Sequence, residues 1–224
     1  YTFYRIYMVY NYLQLVNSVL RRLREKEVSS VQDNAYSKLI GDFVNDAKRV
    51  VEDSYNWNAL SDTLTADTTD GVFNYVLVGS GQRFRMIDVI DDTSDNILTP
   101  QTTNEMNKLF LIQTEQRGNP RFYNFNGVDE NGDTQVDLYP IPDATYNLRF
   151  NIIRPSVPLT LDADKVLVPT EPIIFNAVAR AMAERGEDGG IASTDMYALY
   201  RQSLSDAIAL ESGRYLEESQ WVDV

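Results

Sequence analysis

The spacing of apolar positions changes twice along the chain, and each change marks a boundary between helical and extended structure. From Asn11 to Glu27, the residues Leu13, Val16, Leu20 and Leu23 recur every three or four positions, with Leu15 and Val19 beside them, which draws one apolar stripe along a helix. Asn11 is a capping residue for it, and Arg21, Arg22, Arg24 and Lys26 crowd its last turns, where positive charge suits the carbonyl end of the dipole. That cluster reads as a solvated helix end before it reads as a phosphate site. After the polar break Ser29 to Asn34, the period resumes from Ala35 to about Tyr55 through Leu39, Phe43, Ala47, Val50 and Val51, and Trp57 with Leu60 closes the segment. A link this short predicts an antiparallel helical hairpin.

Between Leu64 and Arg154 the period falls to two, or to short apolar runs broken by turn residues. The expected strands are Val72 to Val78, Arg83 to Ile90, Arg121 to Phe125, Thr134 to Tyr139 and Thr145 to Arg154. The last alternates most clearly, with Tyr146, Leu148, Phe150 and Ile152 on one side and Asn147, Arg149 and Asn151 on the other. Gly79-Ser80-Gly81 and Asn131-Gly132 are expected as hairpin turns, and Thr103 to Ile112 as a short helix among the strands.

The helical period returns after Pro169. Pro172 stands in the first turn, where its missing N–H costs nothing, and Ile173, Ile174, Val178 and Met182 carry the apolar face to about Arg185 before Gly186, Gly189 and Gly190. A final helix is expected from Ser193 as N-cap through Tyr197, Leu199, Tyr200, Leu204, Ile208 and Leu210, longer than a small core requires. Together these elements predict an α+β fold: a four-helix bundle made by the N- and C-terminal helix pairs, with an inserted antiparallel β domain, sandwich or barrel-like. The expected boundaries are an arm over 1–10, the first helix pair over 11–60, the β domain over 61–164, the second helix pair over 165–213 packing on 11–60, and a tail over 214–224.

Composition narrows the chemistry. The 224 residues contain no cysteine and no histidine, which excludes disulfides, thiolate nucleophiles, Cys/His zinc sites and imidazole bases. A net charge of -13 opposes binding to nucleic acid through phosphate neutralisation. It suits either a soluble surface or the wall of a channel through which DNA slides without sticking. No run approaches the roughly 20 apolar residues of a membrane helix. Tyr1 to Tyr10 is too short and too polar for a signal peptide, so synthesis in the cytoplasm is expected; its Thr2, Phe3, Tyr4, Ile6, Tyr7, Val9 and Tyr10 have strand propensity, and with the first Met only at position 8 the stretch reads either as an extended arm or as residues added ahead of the protein proper.

No constellation of residues assembles into a catalytic or cofactor site. Asp129, Asn131 and Asp133 open like a calcium loop, but Thr134 stands where that loop turns on glycine and Pro140 where it needs a bidentate glutamate. Gly79-Ser80-Gly81 lacks the lysine and helix of a phosphate loop, and Asp88, Asp91, Asp92 and Asp95 read as a solvated turn. No enzyme, metal or cofactor is expected. Two rivals stay open: a carbohydrate- or host-recognition module stacking sugars on Tyr75, Phe122, Tyr123, Phe125 and Tyr139, and a small carboxylate-dependent hydrolase. The tail residues Tyr215, Leu216, Trp221 and Val222 place aromatic and apolar side chains where they suit a partner.

Three segments carry a resemblance. They are the N-terminal helix pair with Trp57 and a Leu64-Thr65-Ala66 strand, then Leu138-Tyr139-Pro140-Ile141-Pro142-Asp143 leading through an alternating strand to Arg154-Pro155, then Val168-Pro169 with a helix, a Gly-rich break and a long helix ending in an acidic tail. In these the chain resembles the podovirus-type bacteriophage head-to-tail adaptors, the tail tubular protein A-like connectors. The resemblance implies a virion protein that forms a ring of twelve between the portal protein and the tail nozzle or other tail protein, and continues the channel for genomic DNA without reading its sequence. It implies a portal contact for Tyr215, Leu216, Trp221 and Val222, and a channel or docking role for Glu187, Asp188, Asp206, Glu211, Glu217 and Glu218. The arm over 1–10 is a departure from the pattern.

Overall fold

The computed structural model describes residues 9–111, 114, 116–186 and 191–214. Its helices are α1 (Tyr12–Arg22), α2 (Ala35–Ser54), α3 (Thr103–Leu111), α4 (Thr170–Arg185) and α5 (Ile191–Arg214). Its strands are β1 (Ser61–Asp67), β2 (Asn74–Val76), β3 (Arg85–Asp91), β4 (Asn96–Ile97), β5 (Thr99–Pro100), β6 (Phe122–Val128), β7 (Thr134–Tyr139) and β8 (Asn147–Ile153). The fold is α+β. Its described residues form two compact units, a helical one up to Ala59 and from Ser156 on, and a β one over Leu60–Pro155.

In the helical unit, α1 begins as its sequence requires: the Asn11 side chain accepts from the Gln14 N–H at 2.8 Å, and the Gln14 side chain accepts in turn from the Asn11 N–H at 3.0 Å. It ends well before Glu27, because Arg24 turns into the left-handed region at φ 58 and the Glu25 N–H reaches back to the Leu20 carbonyl at 2.9 Å. Two members of the basic cluster are engaged within the unit. Arg21 pairs with Glu27 at 2.7 Å, and Arg22 lies over the Phe175 ring at 5.7 Å. Asn34 and Ser37 cap α2 in the same reciprocal way. Gly41 lets α2 come close to α1: a Cβ there would meet the Tyr12 hydroxyl and lie 2.9 Å from Val31 Cγ1.

The centre of this unit is α4, which packs against α1, α2 and α5. Ile173, Ala177, Val178 and Ala181 are fully enclosed, and Gly186 ends the helix at φ 66. The structure starts α5 at Ile191, so Ser193 lies inside its first turn rather than capping it. A second correction concerns residues 156–164, expected in the β domain. They belong to the helical unit, because α2 holds them: the Asn45 side chain accepts from the Leu159 N–H at 2.8 Å and donates to its carbonyl at 3.0 Å.

In the β unit one sheet runs β1-β8-β3-β4 and the other β2-β7-β6-β5. All pairs are antiparallel except β5 with β6, so the second sheet is mixed. Both sheets feed one core, with Val89, Leu148, Phe150 and Ile152 from the first and Tyr123, Val136 and Leu138 from the second. The alternation of β8 is as read: Leu148, Phe150 and Ile152 point inward, while Asn147, Arg149 and Asn151 are half-buried. One turn differs: Gly79-Ser80-Gly81 is no hairpin, because it carries the chain from β2 in one sheet to β3 in the other. Asn131-Gly132 does lie at the tip of the antiparallel β6–β7 hairpin, in a loop wider than two residues that Asp129 closes, accepting from the N–H groups of Asn131 at 2.9 Å and Asp133 at 2.8 Å. No helix among the described residues is long and apolar enough to cross a membrane.

Candidate functional site

The carboxylates of the β unit, the first place to look for chemistry, are engaged by backbone N–H groups and by neighbouring side chains. Asp133 accepts from the N–H groups of Gly79 and Gly81, both at 3.0 Å, and so fastens the inter-sheet crossing. Bonds from the backbone N–H of Asp133 and its neighbours hold the Asp129 carboxyl below its ordinary pKa. Asp91, fully buried, accepts from the Thr93 and Ser94 N–H groups; Asp92 pairs with Arg149 at 2.9 Å, and Asp88 accepts from the Asn151 amide at 2.6 Å. Among the described residues no three Asp or Glu side chains come together as a metal site.

Of the aromatic residues considered for sugar stacking, Tyr123, Phe125 and Tyr139 pack against other rings, while Tyr75 and Phe122 are half-buried. Tyr123 and Tyr139 are buried, Phe125 packs edge-on against Phe84 at 5.7 Å and Tyr123 at 5.6 Å, and Tyr139 meets Phe110 of α3 at 5.3 Å. The Tyr75 hydroxyl donates to the Val72 carbonyl at 2.8 Å. Stacking on a sugar needs an open ring face, which the core has taken from Tyr123 and Tyr139.

The helical unit carries the open surface. Beside α5 runs a groove of about 830 Å³, floored by Trp57, Val168 and Phe175 and rimmed by Leu167, Leu199 and Leu210. The backbone that forms it follows from alternation just before α4: Val166 and Val168 turn inward, so Leu167 between them points out, 57% exposed. Trp57 is fixed by its indole N–H donating to the Val51 carbonyl at 2.7 Å. Along α5, Leu199, Ser203, Asp206 and Leu210 share the groove face at helical spacing. Leu210 is 73% exposed and Leu199 45%.

Of the residues expected to dock or to line a channel, Asp206 and Glu211 lie on this face. Asp206 is exposed and accepts from the Gln202 amide at 2.9 Å. Glu211 is turned inward, accepting from the Asn58 N–H at 3.1 Å with Arg214 3.6 Å away, so it ties α5 to the segment after α2. Glu187, Asp188, Tyr215, Leu216, Glu217, Glu218, Trp221 and Val222 lie outside the described residues.

One constellation went unread in the sequence. Lys48 and Glu52, one helical turn apart on α2, are both buried and 3.2 Å apart. The Lys48 ammonium also donates to the Ser156 and Val157 carbonyls at 3.0 Å, and the Ser156 hydroxyl donates to Glu52 at 2.6 Å. A charged pair one turn apart normally lies on a solvated face; its place among Val44, Ala47 and Val51 was the available signal. With its hydrogen bonds made inside the protein, the pair is built as a tether. It holds the returning chain against α2 and offers no open position for a substrate.

The family model described as SU10 adaptor protein matches residues 10–220. No similar curated protein is found.

Proposed function

This chain belongs to the SU10 adaptor family, a family of phage adaptor proteins, and on that premise we propose that it is a structural head-to-tail adaptor in the neck of a tailed bacteriophage virion. The observation that carries the proposal beyond the family is α5, whose 24 residues bury a single side chain, Tyr200. A helix this long with so little of itself enclosed suits a protein completed by neighbours.

On this reading copies of the chain form a closed ring, twelve by the podovirus-type connector pattern, through a heterologous contact repeated around one axis. The helical unit, read as a four-helix arrangement, meets the portal protein, and the β unit, read as a sandwich, meets the tail nozzle or another tail protein. Tyr215, Leu216, Trp221 and Val222 make the portal contact, which many identical copies strengthen through avidity. Glu187, Asp188, Asp206, Glu217 and Glu218 add to the acidic charge of -13 that keeps passing DNA from sticking. The work is mechanical, and no catalytic step is part of it.

The test is electron microscopy of the chain mixed with purified portal rings. Class averages with a ring of added density on one end of the portal are expected. Portal rings left bare at saturating concentrations of the chain would refute the proposal.

A further inference from the structure

Both segments that lie outside the described residues at the ends of the chain join the fold at the rim of the same groove. Val9 lines it, and so does Arg214, the last residue of α5. We propose that the segment Tyr1 to Met8 of the same chain occupies this groove, covering Leu167, Leu199 and Leu210. The inference is independent of the adaptor reading.

Position, length and charge select this occupant over the other end of the chain. The chain passes the groove at Val9 and is tied down just beyond it, where the Val166 N–H donates to the Tyr10 carbonyl at 3.3 Å and the Tyr12 N–H donates to the Asp164 carbonyl at 2.9 Å. Eight residues in extended form reach roughly 26 Å at about 3.3 Å each. The groove face of α5 from Leu199 to Leu210 is only about 17 Å long at about 1.5 Å per residue. The segment is therefore long enough to lie along the whole face.

Its composition suits the surface it would cover. Tyr1, Phe3, Tyr4, Ile6, Tyr7 and Met8 supply apolar and aromatic area, and these residue types favour the extended form that a groove admits. Its one charged side chain is Arg5, and the groove presents exposed Glu171 and Asp206, while Arg214 at its rim pairs with Glu211 at 3.6 Å, leaving the lining acidic. Residues 215–224 carry Glu217, Glu218 and Asp223 and no basic side chain, so the same rim repels them. That leaves the C-terminal segment for a partner elsewhere and the N-terminal one for the groove.

The absence of native cysteine makes the test direct. A Leu210→Cys variant is reacted with a maleimide in the full chain, in a chain lacking residues 1–8 and in a chain lacking residues 215–224. Reaction about tenfold or more slower in the full chain than in the first truncation is expected. Removal of 215–224 should leave that protection in place, and Ile97→Cys in the β unit should react equally in all three chains. Arg5→Glu in the full chain should speed the reaction at Leu210→Cys, which keeps the proposal testable if the first truncation fails to fold. Protection should not change with protein concentration. Equal rates with and without residues 1–8, protection lost on removing 215–224, or protection that grows with concentration and so comes from a second copy would each overturn the proposal.

Discussion

Helices α4 and α5 are neighbours in sequence and packed against each other, yet they have opposite characters. Half of the 16 residues of α4 are buried, among them Ile173, Ile174, Ala177, Val178 and Ala181, whereas α5, at 24 residues, buries Tyr200 alone. The apolar residues of α4 face three other helices. Those of α5 are spread around its circumference, so no single packing partner can cover them. The difference is between a helix that carries the core of the helical unit and one that leaves most of its surface outside that core.

The strongest way to break the α4 side is to remove what it rests on. Lys48→Met takes the cation from a buried pair, leaving Glu52 an uncompensated buried charge and two carbonyls without their donor; a loss of about 3–5 kcal/mol is expected from denaturant unfolding. Ile173→Ala, which cuts a fully enclosed side chain from α4 itself, should cost about 2–5 kcal/mol by the same measurement. Gly41→Ala should cost about 1–3 kcal/mol, since the new methyl group meets Tyr12 and Val31 and outweighs the gain of under about 1 kcal/mol in helix propensity.

A pH series sharpens the same contrast. Burial, with Asp42 and Asp162 nearby, pushes the Tyr12 hydroxyl up from 10.0 to about 12. The folded state therefore holds this proton more tightly than the unfolded state. The resulting stability is complete below pH 10 and lost as pH rises through about 12. Thermal melts between those values should fall steeply for the native chain and less for Tyr12→Phe. The smallest change in subunit stability is expected on α5: Ala209→Glu, at an exposed position, should stay within about 0.5 kcal/mol of the parent by denaturant unfolding. The same variant should fail to add a ring to portal, as judged by electron microscopy.

The contrast between the two helices also marks how far the sequence could be read. The starts of α1 and α2, the end of α4 at Gly186 and the alternation of β8 were legible because each rests on local chemistry: a capping side chain, a left-handed glycine, a period of two. The end of α1 was not, since it depends on Arg24 adopting a backbone conformation that favours glycine. Gly79-Ser80-Gly81 looked like a hairpin because turn residues do not say whether the next strand joins the same sheet. For the candidate site, the resemblance points to Asp206 and Glu211 alike, and only the fold separates the exposed one from the one bound to Asn58. The groove itself is a product of tertiary structure: nothing local to Leu167 and Phe175 says what packs beside them.

On the proposed reading, α4 is complete in the isolated subunit and α5, beyond its groove face, is completed by assembly. Amide hydrogen exchange on the free chain and on the chain bound to portal rings tests it most directly. Slow exchange in α4 in both states, with α5 gaining protection in the bound one beyond what it has in the free chain, is the expected result. Protection of α5 that is the same with and without portal would contradict it.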